Sequence, residues 1–362
     1  MTAITRRLIV ALLLALLPLM AACTPEPGEL LVVDDGRQRS LEAVVPELLD
    51  KDVIFIGERH DRYDHHLNQL AVIEALHRRG AKLAIGLEFF QRPFQSWLDD
   101  YIAGQLEEGE LLGGTEYFQR WGFDYRLYRP ILRFAREQGI PLIALNAPRE
   151  ASRKVSQGGL EALGAGERPF VAREIDQSDQ AYRARLRALY DRHPQTFGDF
   201  ERFWQVQLLW DETMAERAAD YLGAHPDTTL VVLAGSGHLA HRSGIPNRLE
   251  RRLAVDSALL LPEEGEGSRG ADYLLVSQQV FLPPAGRLGV MLEDMVVQEV
   301  LPDSGAARAG VRPDDRILAV DGRSVNDFTE LRLALQDRRP EETVSLRVER
   351  AGSHLPLEVT LH

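Results

Sequence analysis

Asp52-Val53-Ile54-Phe55-Ile56 runs into Gly57-Glu58-Arg59-His60, and far along the chain Thr229-Leu230-Val231-Val232-Leu233-Ala234 runs into Gly235-Ser236-Gly237-His238. A short β-branched and apolar run bounded by turn residues reads as a strand buried on both faces. Lys82–Leu87 leading into Glu88, and Ile140–Leu145 leading into Asn146, have the same form. The helical patterns between these runs suit crossover connections, so the four strands are expected to be parallel. In open α/β sheets, ligands bind beyond the carboxyl ends of the strands. Parallel strands therefore deliver Glu58, His60, Glu88, Asn146 and His238 to one rim. Any one of them could instead cap a helix or satisfy loop amides. Five together point to a site.

Working outward, residues 29–281 are long enough for one large α/β domain, a mostly parallel sheet flanked by helices, with a substantial core. No repeat or low-complexity segment interrupts it. Pro262–Gly270 is acidic and glycine-rich and reads as a solvated loop before a last strand, Asp272–Val276. Residues 282–286, Leu-Pro-Pro-Ala-Gly, read as a linker.

The first 22 residues have the form of a targeting segment: Arg6-Arg7, an apolar stretch from Leu8 to Leu19, then small residues before Cys23, the only cysteine. This resembles a bacterial lipoprotein signal, with Met20 where leucine is usual. The resemblance implies a lipid on Cys23 and a tether over residues 23–28. With Thr24 next, it also implies an outer-membrane address facing the periplasm. A plain secretory peptide and a membrane anchor are the alternatives, although the apolar run is short for a span. Removing Arg6 and Arg7 takes the formal charge from -13 to -15. That acidity argues against nucleic acid and against electrostatic adhesion to anionic lipid, leaving the acyl anchor as the membrane contact.

Residues 287–362 resemble a bacterial PDZ domain along their whole length. Asp321-Gly322 reads as a tight hairpin turn, and Asp327–Gln336 as a helix with Phe328, Leu331 and Leu335 on one face. The resemblance implies that Leu288, Gly289 and Val290 form the loop that holds a peptide's terminal carboxylate, beside an edge strand that pairs with the peptide.

In the middle domain, Gly57-Glu58-Arg59-His60-Asp61, Asp64-His65-His66, Gln69, Gly86-Leu87-Glu88, Asn146-Ala147-Pro148-Arg149, Trp210-Asp211 and Gly235-Ser236-Gly237-His238 are similar to the ChaN family of haem-binding lipoproteins. That family lies in the Tiki superfamily, with the EreA/ChaN-like fold. The resemblance implies haem at a cofacial homodimer interface, bound through tyrosine, in iron uptake or storage. The tyrosines best placed are Tyr101, Tyr117, Tyr125 and Tyr128, in an aromatic-rich insertion from Phe89 to Arg136. Tyr128 is the first choice as ligand, with Tyr125, Arg129, His66, Asn146 and Arg149 around the cofactor. Phenolate ligation of ferric haem is chemically sound.

The same superfamily contains peptidases with two Gly-x-x-His motifs and a glutamate. That implies metal-dependent hydrolysis, in which His60, His238 and Glu88 hold a divalent ion and Glu58 acts as base, or the two glutamates exchange roles. A metal-free esterase with a Glu58–His60 pair, as in the related erythromycin esterases, is a further alternative, so enzymatic activity is left open. Gly235-Ser236-Gly237 lacks the first glycine of a nucleophile elbow, and no P-loop or dinucleotide fingerprint is present. Adjacent residues on a helix diverge, so His66 is expected to face sheet or cleft and His65 solvent, with one or both structural rather than ligands. Met214 reads as a packing residue of an amphipathic helix from Phe197 to Leu222.

Overall fold

The computed structural model describes residues 31–34, 36–192, 198–263 and 268–362. Cys23, the targeting segment, the tether and part of the Pro262–Gly270 loop lie outside them. The first sheet comprises β1 (Leu31–Asp34), β2 (Arg37–Ser40), β3 (Val53–Glu58), β4 (Leu83–Gln91), β5 (Leu142–Asn146), β6 (Thr229–Gly235), β7 (Ser257–Pro262) and β8 (Tyr273–Val276). Their spatial order is β2-β1-β8-β7-β3-β6-β4-β5. Every pairing from β8 to β5 is parallel. The β1–β2 hairpin adds an antiparallel edge on β8. The sheet is thus mixed but mostly parallel.

Alternation along each strand supplies both faces. Ile54, Ile56, Val231 and Leu233 join one core with the aromatic insertion, while Val53, Phe55, Leu230 and Val232 join a second with Met214, Ala218 and Leu222. Continuous apolar runs are what a sheet covered on both faces demands. Met214 is a core residue, as its helical pattern implies. Its helix, Phe200–Ala224, starts later than the apolar pattern because Asp199 caps it, accepting from the Arg202 amide at 3.3 Å.

His65 departs from expectation: it is buried, not solvent-facing. The helix Tyr63–Arg78 begins directly beneath the Arg59–Arg62 turn, and His65 Nδ1 accepts the Arg59 amide at 3.0 Å. Enclosure by the preceding loop overrides the helix's own inside-outside pattern in that first turn.

The second sheet contains β9 (Val290–Glu293), β10 (Val296–Val300), β11 (Arg316–Val320), β12 (Arg323–Ser324), β13 (Thr343–Arg350) and β14 (Ser353–Thr360). Its order is β14-β13-β11-β10-β9, with β12 on β11. Asp321 and Gly322 both take positive φ, 50° and 79°, the backbone of a type I′ turn, whose twist matches the flanking strands. The helix Phe328–Leu335 packs Leu331 into this core and is capped by Asp327, which accepts the Glu330 amide at 2.8 Å. Asp327→Ala is expected to lower stability here by about 1 kcal/mol. Faster amide hydrogen exchange across β13 and β14 would report it; unchanged exchange would deny the cap its role.

The two domains touch through the insertion. Arg129 pairs with Asp337 at 2.7 Å, Arg126 donates to the Pro283 carbonyl at 2.9 Å, and the Arg332 guanidinium lies 5.3 Å from the Phe118 ring centre. Among the described residues, no helix is long and apolar enough to cross a membrane.

Candidate functional site

The parallel register aligns the strand ends: Glu58 on β3 stands opposite Gly235 on β6, and Leu87, just before Glu88 on β4, stands opposite Leu233. Glu58 and Glu88 are buried at that rim. Glu58 Oε1 is hydrogen-bonded to His60 Nδ1, while Oε2 is buried without a hydrogen-bond partner. Glu88 Oε2 accepts the Gly235 amide at 2.7 Å, and its Oε1 lies 3.3 Å from His238 Nε2. His238 Nδ1 is held by Asp211 Oδ1 at 2.6 Å, and Asp211 Oδ2 accepts the Tyr182 hydroxyl. A chain of contacts thus runs Tyr182–Asp211–His238–Glu88 into the cleft.

Burial pushes both imidazoles down in pKa, but carboxylates outweigh it. For His60 the Glu58 hydrogen bond and the charges of Glu88 and Glu58 leave a net rise. For His238 the charges of Glu88 and Asp211 and the Asp211 hydrogen bond raise it to about 9. His238 is therefore an imidazolium at neutral pH, clamped between two carboxylates.

One ligand atom each from Glu58, His60 and Glu88 lies within 4.8 Å of the others, a spacing that a single ion can bridge. A Cβ on Gly235 would sit 2.8 Å from His60 Cε1, 3.2 Å from its Nε2 and 3.6 Å from Glu88 Oε2. Glycine keeps open a cradle faced by two donors. Glu58 belongs to the same cluster, and its Oε2 has no hydrogen bond and lies 3.8 Å from His66 Nε2. A buried carboxylate oxygen without a partner is costly, and a bound cation offsets that cost. The residues fit a cation. Gly235→Ala is expected to displace the His60 ring from Glu58 and lower its pKa toward 6.5. An NMR titration of the ring protons reads this directly; an unchanged titration would mean that the methyl is accommodated elsewhere.

The wall beside His60 is aromatic: Trp121 and Phe123 each bring a ring centre to 4.8 Å from the imidazole. Tyr128 packs on His66 at 4.4 Å and on Phe89 at 4.3 Å. Its hydroxyl is buried without a hydrogen-bond partner, and burial followed by the nearby Glu58 charge pushes that phenol well up. Tyr117 and Tyr125 have the same orphaned hydroxyls, and burial raises both.

The other residues expected at the site fall into place as follows. His66 is buried behind the cleft, Nδ1 3.2 Å from Gln69 Oε1 and Nε2 3.3 Å from the His60 carbonyl. Asn146 stands on the rim but uses its side chain on backbone, donating to the Glu88 carbonyl and accepting from Ala147. Tyr125 sits deeper, its ring 5.5 Å from that of Tyr117. Arg129 is engaged by Asp337, and exposed Arg149 donates to the Gln119 carbonyl at 2.6 Å. In the second domain, Leu288 and Gly289 are buried, Gly289 at φ 82°, and Val290 opens edge strand β9.

Two contributors were not assigned from sequence. The sequence left Asp211 either facing the cleft or bonding a neighbouring loop, and only the fold shows it grasping His238. Tyr182 carries no sequence signal, since its role depends on a partner 29 residues away.

A sequence profile described as "Haem-binding uptake, Tiki superfamily, ChaN" matches residues 44–249, and a PDZ domain profile matches residues 276–361. The chain is similar to RETICULATA-RELATED 5, chloroplastic, of Arabidopsis thaliana: 25% identical over 281 residues, covering 69% of this chain and 37% of that protein. It is also similar to the periplasmic pH-dependent serine endoprotease DegQ of Escherichia coli (strain K12), 34% identical over 134 residues, covering 37% of this chain and 28% of DegQ. The chain thus spans well under half the length of either relative. A solved structure described as cofacial heme binding to ChaN of Campylobacter jejuni superposes with a TM-score of 0.57 at 18% identity, covering 69% of this chain and 98% of that one. That likeness is one of fold.

Proposed function

Since the chain belongs to the haem-binding uptake (ChaN) family of the Tiki superfamily and carries a PDZ domain, we propose that its first domain binds haem in haem or iron uptake at the cell envelope. The PDZ domain recruits the C-terminus of a partner. The observation that carries the haem reading is Tyr128: a buried phenol at the aromatic wall of the cleft, facing the Trp121 indole but making no hydrogen bond of ordinary geometry. Leaving a buried hydroxyl unpaired costs roughly 1–3 kcal/mol, a cost that a ligand relieves. Tyr128 is assigned to the iron, with His66 packed on its ring and the Trp121–Phe123 wall offering apolar surface to a porphyrin. Haem supplies a ferric centre suited to a phenolate, and the protein's own part is to bind and orient it. The lipoprotein-like N-terminal segment supports anchoring through Cys23 on the periplasmic side of the outer membrane. The cofacial neighbour supports haem shared between two copies.

The test is a hemin titration of the chain lacking residues 1–23, followed by absorbance, with Tyr128→Phe alongside. A saturable Soret shift that Tyr128→Phe loses or alters is expected. Absence of any saturable shift would overturn the haem reading.

A second reading rests on the Glu58–His60–Glu88 cluster and its Gly235 cradle: a metal-dependent hydrolase. Glu58 Oε2 makes no hydrogen bond, His60 Nε2 faces the Gly235 cradle, and Glu88 is oriented by the Gly235 amide. A divalent ion there would supply Lewis acidity. His238, its proton held at Nε2 toward Glu88 by Asp211 on the opposite nitrogen, is placed to donate it to a leaving group. Stoichiometric metal in the purified protein, with no hemin shift, would favour this reading.

A further inference from the structure

A cavity of about 820 Å³ lies where the PDZ domain meets the first domain. Its PDZ side is formed by the Leu288–Val290 loop, edge strand β9, and Leu331 and Leu335 of the helix. An edge strand presents unpaired backbone to an added strand, and the apolar floor between it and the helix suits an apolar side chain. The remaining wall comes from the 282–286 linker and from Phe118, Asp124 and Arg126 of the other domain. Arg332 ties the walls together, its guanidinium 5.3 Å from Phe118 and 5.9 Å from Phe328, the latter 43% exposed at the groove's rim. Asp124, the acidic side chain lining the groove, is neutralised by Arg126 at 2.7 Å. Arg287 and Arg332 therefore leave the groove positive.

The segment from residue 117 to 126 has a second side. It brings Phe118, Asp124 and Arg126 to the groove, while Trp121 and Phe123 lie against His60 at 4.8 Å. One short segment walls both sites.

We propose that the groove is a composite site, completed by the first domain, for a partner's C-terminal peptide with an apolar last side chain and an acidic residue upstream, and that the 117–126 segment transmits its occupancy to the His60 cleft. The inference rests on the peptide-binding reading of the PDZ domain and adds to it a wall that an isolated PDZ domain lacks. Charge complementarity selects the acidic upstream residue, because an arginine-rich rim with its carboxylate already paired favours a negative ligand. Transmission needs no displacement of the sheet. A peptide that shifts Phe118 moves the backbone on which Trp121 sits.

The experiment uses the intact protein and synthetic decapeptides randomised at the last four positions, prepared as free acids and as C-terminal amides. The tightest free acid is titrated by fluorescence polarisation against wild type, Phe118→Ala and Arg126→Gln, and the His60 ring resonances are followed by NMR at saturation. Binding of the free acid over the amide, weakened at least about fivefold by both substitutions, with a shift of the His60 resonances, is the expected result. Affinities unchanged within twofold in both variants overturn the composite site and leave the PDZ reading standing. His60 resonances that stay put at saturation overturn the transmission. No acid-dependent binder in the library overturns the PDZ reading along with this inference. The hemin titration is independent of all three results.

Discussion

Between pH 6 and pH 9.5 the chelator-treated protein is expected to lose about 3 kcal/mol of unfolding free energy, and His238→Gln to remove most of that loss. Burial pushes the His238 imidazole down, but the charges of Glu88 and Asp211 and the Asp211 hydrogen bond lift it from 6.5 to about 9. The folded protein therefore keeps a proton that the unfolded chain has released. A raised folded pKa stabilises fully below the unfolded value of 6.5, and the stabilisation disappears as pH rises through about 9. Each tenfold gain in proton affinity on folding is worth about 1.4 kcal/mol, and a side chain only 12% exposed is little screened by solvent. The raised His60 imidazole acts in the same direction. Urea unfolding followed by tryptophan fluorescence, with Trp97, Trp121, Trp204 and Trp210 all in this domain, measures the effect. A flat profile would show that His238 is neutral in the folded protein and that its clamp between Glu88 and Asp211 is not an ion pair.

Glu58→Gln should weaken zinc binding at the cleft by about 10–100-fold, read by competition with a chromophoric chelator. The substitution keeps size and shape and removes only the charge that faces His60 and supplies the unpartnered Oε2. Glu88→Gln would be a less clean probe, because Glu88 also accepts the Gly235 amide and faces His238. Hemin binding through Tyr128 should survive Glu58→Gln and strengthen slightly, since the Glu58 charge opposes formation of a phenolate beside it. Zinc affinity unchanged by Glu58→Gln would remove this cluster from consideration as a cation site. The two ligands thus respond oppositely to one substitution, which separates the haem reading from the hydrolase reading within a single variant.

What the sequence determined by itself was local and periodic. The run Val53–Ile56 reads as a buried strand because neighbouring side chains alternate between two covered faces, and the structure places Ile54 and Phe55 in opposite cores. Parallel pairing then brings Glu58, Glu88, Asn146 and the Gly235–His238 turn to one rim, as the order of strands and helical connections already required. The Asp321-Gly322 turn and the Asp327-capped helix were legible for the same reason: their conformations depend on residues within a turn of each other.

Tertiary structure alone decided the contacts between residues far apart in the chain. Asp211 and Tyr182 orient His238 because the helix Gln180–Arg192 packs against the helix Phe200–Ala224. Gly235 is glycine because His60, far earlier in the chain, fills the space above it. His65 is buried because the loop before its helix folds back over it. The PDZ groove acquires a wall from the insertion because Arg129 and Phe118 happen to meet Asp337 and Arg332, from the opposite end of the chain. Side-chain periodicity encodes which face of an element is apolar, but not which polar groups two apolar faces bring together when they pack; that pairing is a property of the docked elements.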